Sequence, residues 1–118
     1  MQISYEQLEG DVYKINLVGR LDIQGNEEIS LQFSEITAAP SKLFIVDLSG
    51  VDFIASIGIR TILMSAKAIH NQGGKIVLLN PDSRVRKILS VSGVGTIMEI
   101  VDDLESALVI VRSSDVGA

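Results

Sequence analysis

Cysteine is absent from the 118-residue chain, histidine occurs once, and bases are the minority, with 10 Lys and Arg against 15 Asp and Glu for a net charge of -5. Without cysteine there is neither a disulfide framework nor a thiolate metal site, which fits a reducing compartment. The acidic balance argues against duplex DNA or RNA as a partner, because phosphate backbones are held by basic faces. No apolar run approaches the roughly 18 to 20 residues of a spanning helix. The start, Met1-Gln2-Ile3-Ser4-Tyr5-Glu6, lacks the basic and apolar regions of a signal peptide. No membrane insertion and a cytoplasmic location are therefore expected. Internal repeats, linkers and low-complexity stretches are also missing.

At 47% hydrophobic and 21% charged residues, the chain can bury the core of one domain, expected to span residues 1–118. Gln2 to Tyr5 and Val12 to Val18 read as strands around a turn at Glu9-Gly10-Asp11, with Tyr13, Ile15 and Leu17 forming an apolar face of period two. Gly19-Arg20-Leu21-Asp22 is expected to leave the sheet. A helix should start near Gly25 or Asn26, with Asn26 as N-cap, Glu27 and Glu28 in its first turn, and Ile29, Phe33 and Ile36 facing the core. Ala38-Ala39-Pro40-Ser41 should end it. Leu43 to Leu48 is almost continuously apolar, as in a strand covered on both faces, and is placed at the sheet centre.

From Ser56 to about Gln72, residues Ile59, Ile62, Leu63, Ala66 and Ile69 recur at helical spacing, and Gly73-Gly74 stops the run. Lys75 to Leu79 is a buried strand, Asn80-Pro81-Asp82 a turn, and Val85, Ile88 and Leu89 mark a short helix ended by Gly93. Ile97 to Val101 reads as a last strand. Asp102 or Asp103 should start a final helix facing inward through Leu104, Ala107, Leu108 and Val111, with 113–118 frayed. The order predicts an α/β sandwich: a mixed central β-sheet opened by an N-terminal hairpin, with about four helices.

Chemistry is concentrated in Val51-Asp52-Phe53-Ile54-Ala55-Ser56-Ile57-Gly58-Ile59-Arg60, where a strand's loop hands over to a helix. Ser56 as a catalytic nucleophile would need a base. The only candidate, His70, lies fourteen residues along the same helix, roughly 20 Å away at the helical rise; it reads as a solvated residue complementing the helix dipole. Asp47, Asp52, Asp102 and Asp103 form no spaced ligand set, so no metal and no cofactor are expected. Gly93-Val94-Gly95 lacks the further residues of a phosphate-cradling loop and reads as a turn. Two readings of Ser56 stay open. Serine is a preferred N-cap. A phosphate there would also be tolerated by the positive end of the helix dipole while sharply changing the exposed surface.

The run Phe44-Ile45-Val46-Asp47-Leu48-Ser49-Gly50-Val51-Asp52-Phe53-Ile54-Ala55-Ser56-Ile57-Gly58-Ile59 resembles the signature of STAS domains, the fold of bacterial anti-sigma factor antagonists. Gly19-Arg20-Leu21-Asp22 and Gly73-Gly74-Lys75-Ile76-Val77-Leu78 are similar to two further family segments, so the likeness covers nearly the whole chain. The resemblance implies a STAS-like sandwich without enzymatic activity. It also implies a partner switch, in which the protein binds a serine kinase that doubles as an anti-sigma factor, is released when that kinase phosphorylates Ser56, and is reset by a PP2C-type serine phosphatase. Ser56 and Gly58 keep the family's serine and glycine, whereas Ala55 stands for its Asp and Ile57 for its second hydroxyl residue. Arg60 could hold a phosphate or be an ordinary helical arginine. Asp22, Asp47, Ile57, Gly58 and Arg60 are the implied partner-binding residues, Asp22 and Asp47 being expected on the Ser56 rim. The family also implies an alternative, a constitutive scaffold or subunit of a transport or stressosome-type complex.

Overall fold

The computed structural model describes residues 1–38 and 43–113. β1 (Gln2–Leu8) and β2 (Val12–Leu21) form an antiparallel hairpin around a 3-10 turn at Glu9–Asp11, where Gly10 takes φ 74°. Gly19-Arg20-Leu21 does not leave the sheet as expected. These residues pair with Val51, Phe53 and Ile54 across two register irregularities, and Gly19 at φ 119° absorbs the distortion that would otherwise end the strand.

The longer β2 moves the next helix forward. α1 (Ile23–Thr37) is capped by Asp22, whose Oδ1 accepts the Gly25 amide at 2.8 Å. Asn26 is therefore not the cap, and Glu27 and Glu28 lie beyond the first turn. Asn26 instead accepts the Thr61 hydroxyl at 2.6 Å and ties α1 to α2 (Ser56–Asn71). Ile29 and Phe33 are buried as expected, with Ile36 partly so. The expected stop at Ala39-Pro40-Ser41 and the frayed tail beyond Ser113 lie outside the described residues.

β3 (Leu43–Ile54) is central in the sheet order β1-β2-β3-β4-β5 and parallel to both neighbours. It runs on through Val51–Ile54, so most of the segment read as a loop is strand. Alternation along β3 splits the core: Phe44, Val46 and Leu48 belong to the large cluster that α1, α2 and α3 (Ser83–Ser92) help to form, and Ile45 faces Ala107 and Val111 of α4 (Leu104–Arg112).

β4 (Lys75–Leu79) matches expectation, and Gly93, at φ 82°, ends α3 as predicted. β5 is only Ile100–Val101, because the amides of Ile97 and Met98 still bond to the Val94 carbonyl at 2.9 and 3.1 Å and keep the chain in a turn. Asp103 caps α4. Leu104, at the first position of that helix, does not face inward but stays 37% exposed.

Two glycines let α1 and α2 press against the end of β2. A Cβ on Gly58 would lie 2.8 Å from Leu21 Cδ2 and 3.1 Å from the Leu21 carbonyl oxygen, and Leu21 is itself buried. A Cβ on Gly25 would overlap the Arg20 carbonyl. Gly58→Ala is expected to destabilise the fold by about 1–3 kcal/mol through overpacking. Urea unfolding of Gly58→Ala, Leu21→Ala and the double variant checks this. The double variant should be more stable than the sum of the single losses predicts, and strict additivity would rule the clash out.

Helix caps generate a pH dependence. Asp22, Asp82 and Asp103 accept backbone amides from Gly25, Val85 and Ser106, and these bonds, named first among the causes, hold each carboxyl below its usual 3.8. A depressed folded value means that the stabilisation is fully present above the unfolded value, begins to fade near pH 4, and is lost as pH falls through the folded value. Asn keeps the capping geometry without titrating. The Asp22→Asn, Asp82→Asn and Asp103→Asn variants should therefore show a flatter fall in urea midpoint than wild type between about pH 5 and pH 2.

Candidate functional site

Three of the four helices start on an aspartate side chain, and α2 does not. Its N-cap residue is Ala55, at φ -98° and ψ 167°, with no side-chain cap. Ala55 donates its amide to the Leu21 carbonyl at 2.9 Å, which fixes where the helix starts relative to β2. Ser56 is thus the first helical residue and not the cap, a correction that follows from β3 running to Ile54. Its side chain is exposed and has no hydrogen-bond partner among the described residues. The Ala55 carbonyl takes the amides of Gly58 and Ile59 at 3.0 and 3.2 Å, while those of Ser56 and Ile57 find no acceptor among the described residues. An exposed hydroxyl beside two free amides at the positive end of a sixteen-residue helix favours an anion on that oxygen.

The Leu21–Ala55 bond sets the first residues of α1 and α2 on one rim. Asp22, the cap of α1, stands on it. Its Oδ2 also meets Arg20 Nε at 3.4 Å, and the Arg20 guanidinium lies 4.4 Å from the centroid of the Phe53 ring. Ile57 is half-buried on this rim. Arg60 is exposed, one turn from Ser56 along the same face, and makes no ion pair among the described residues. Ile23, 69% exposed, adds an apolar side chain that sequence reasoning missed. The signal for it was Asp22 itself, which as a cap makes Ile23 the first residue of α1.

Two implied residues sit elsewhere. Gly58 is buried against Leu21 and serves the rim by letting α2 approach it. Asp47 is not on the Ser56 rim. It pairs with Asn16 far upstream of Ile54, and alternation turns its side chain to the α4 face of the sheet. There burial works against its charge, yet hydrogen bonding from Ser49 and the Lys14 ammonium, 3.1 Å away, keep its carboxyl below the usual value. His70 lies at the opposite end of α2 from Ser56. Among the described residues no His, Cys, Asp and Glu cluster could hold a metal, and no helix is long and apolar enough to cross a membrane.

The chain is 29% identical over 109 residues to the anti-sigma F factor antagonist of Paenibacillus polymyxa, covering 92% of each protein. It superimposes on the unphosphorylated form of the anti-sigma factor antagonist SpoIIAA with a TM-score of 0.78 at 26% identity, over 95% of this chain and 97% of that one. The Bacillus cell fate determinant SpoIIAA in its phosphorylated form gives a TM-score of 0.71 at 25% identity, over 94% of this chain and 100% of that one. The family model described as STAS domain matches residues 2–107, and the chain belongs to that family.

Proposed function

We propose that this protein is a cytoplasmic anti-sigma factor antagonist whose docking to a serine kinase that doubles as an anti-sigma factor is switched off by phosphorylation of Ser56 and restored by a PP2C-type serine phosphatase. The observation that carries the reading is the exposed Ser56 hydroxyl at the start of α2, the one α-helix among the described residues without a side-chain cap. It is supported by the likeness to antagonists and by the rim around the serine. Asp22, Ile23, Ile57 and Arg60 offer a carboxylate, two aliphatic anchors and a cation within one surface. A phosphate would bring a charge of about -1.5 to -2 onto that surface. The free amides and Arg60 would tolerate it within the chain, while a partner seated on Ile23 and Ile57 would have to desolvate it. The protein is then a substrate and not an enzyme, and Gly58 and Asp47 serve the fold.

The exposed Ile23 also suits a second reading, a scaffold of a transport or stressosome-type complex that docks constitutively through the same rim. Parallel capture from lysate of the source organism with wild type and Ser56→Asp separates the two. Switching predicts that a serine kinase of the anti-sigma type binds wild type and binds Ser56→Asp at least tenfold more weakly, about 1.4 kcal/mol. Equal capture of the same partner by both baits would sink the switch. The thermal midpoint of Ser56→Asp should not fall, since an acid in the first turn complements the dipole.

Ala55 generates a further expectation. Its backbone already has N-cap geometry. Ala55→Asp should therefore stabilise the protein by about 0.5–2 kcal/mol through a new side-chain cap, measured by urea unfolding. A new carboxylate beside Ser56 would also change the rate of phosphorylation by the cognate kinase, and an unchanged rate would show that the cap position is outside the kinase's reach.

A further inference from the structure

At the end of α2 opposite Ser56 lies a cleft of about 200 Å³ between that helix, the start of β4 and the turn after α3. Its floor is Ala66, Ile76 and Met98, all nearly buried, and Ile97 stands on its wall 54% exposed. Lys67, His70 and Lys75 ring it. Neither lysine nor the histidine has an ion-pair or hydrogen-bond partner for its side chain among the described residues, whereas Lys14, Arg20, Arg84 and Arg86 all meet carboxylates. On a chain of net charge -5, two unpaired lysines and the only histidine converge on one apolar hollow.

Basic side chains in a last helical turn can serve simply to satisfy its carbonyls. Here backbone amides already meet two of the last four carbonyls, and no lysine or histidine side chain among the described residues is on either of the others. The Ile69 carbonyl accepts from Gln72 and Gly74 at 3.1 and 2.9 Å, and the His70 carbonyl from Gly73 at 2.9 Å. The cationic heads are thus left over, and the cleft below them is apolar.

We propose that this cleft binds a small amphipathic anion, a carboxylate with a short aliphatic tail, with its head held by Lys67, Lys75 and His70 and its tail on Ile76, Ile97 and Met98. The volume suits it: the hollow is larger than an apolar cavity of about 150 Å³ that accepts benzene, so it can seat a tail of about six carbons. Apolar contact supplies the attraction and the unpaired charges the choice of sign. A polyanion such as a nucleotide is disfavoured, because no glycine-rich phosphate loop adjoins the hollow.

The test is titration of isotope-labelled full-length protein, followed by amide NMR, with hexanoate, acetate and hexylammonium as probes. Hexanoate should give saturable shifts centred on residues 66–76 and 97–98, with a Kd of about 1 mM, which a ligand of so few atoms can reach. Acetate should bind at least tenfold more weakly for want of a tail, and hexylammonium should leave the cleft unshifted. Lys67→Glu, a surface change, with Lys75→Glu at the half-buried start of β4, should weaken hexanoate at least tenfold while the remaining amide spectrum stays that of the folded protein. Ile97→Gln should weaken it without affecting the charge, and Lys87→Glu should do nothing. The proposal is overturned if hexanoate shifts nothing up to about 10 mM, if hexylammonium shifts the same amides equally, or if the double lysine variant binds hexanoate as wild type does.

Discussion

The close approach of α2 to the end of β2 is the constraint on which the rest of this surface depends. The Leu21 carbonyl takes the Ala55 amide, and the Leu21 side chain fills the space that a Cβ on Gly58 would need. That contact places the first turn of α2 against the sheet without the usual stand-off of a side chain. Gly25 does the same for α1 against Arg20. Because both helices are pinned to consecutive residues of one strand, Asp22 and Ile23 share a rim with Ser56 and Ile57. The motif's glycine is thus a packing residue whose effect on function is exerted through position.

Helix capping then divides the molecule electrostatically. Asp22, Asp82 and Asp103 close the starts of α1, α3 and α4 with carboxylates, which both satisfy amides and offset the positive helix ends. α2 begins on Ala55, leaving the Ser56 and Ile57 amides without an acceptor among the described residues. This gives physical meaning to the family position where Ala55 stands in place of Asp. A carboxylate there would occupy the amides and repel a second anion nearby. Alanine gives up that capping energy and leaves the helix start open to a phosphate or to a partner's carboxylate.

Much of the architecture was legible because its signals are local. The α2 periodicity from Ile59 to Ile69, the buried run Lys75 to Leu79, Gly93 as a stop and a cap at Asp102 or Asp103 each depend on a few neighbouring residues, and the order of elements predicted the mixed sheet. The failures arose where a distant partner decides. Whether Gly19-Arg20-Leu21 ends a strand or bulges within it is set by Val51, Phe53 and Ile54 of β3. Asp22 and Asn26 are both good caps, and the choice between them follows from where β2 ends. Asp47 sits in a run that is apolar on both sides, so its face is invisible until Phe44 and Ile45 are assigned to opposite clusters. Ser56 was legible as a residue, but its place one step past the cap was not.

That one step matters for the proposed switch. A capping serine spends its oxygen on a backbone amide, so modifying it would break a bond that the helix uses. Ser56 makes no such bond, and the core of α2 begins only with Gly58 and Ile59. A phosphate can therefore be added or removed with the packing against Leu21 intact, confining the change to charge on the rim. A regulatory residue that contributes little to the fold can change state without unfolding it, and the uncapped start of α2 provides that arrangement in this chain.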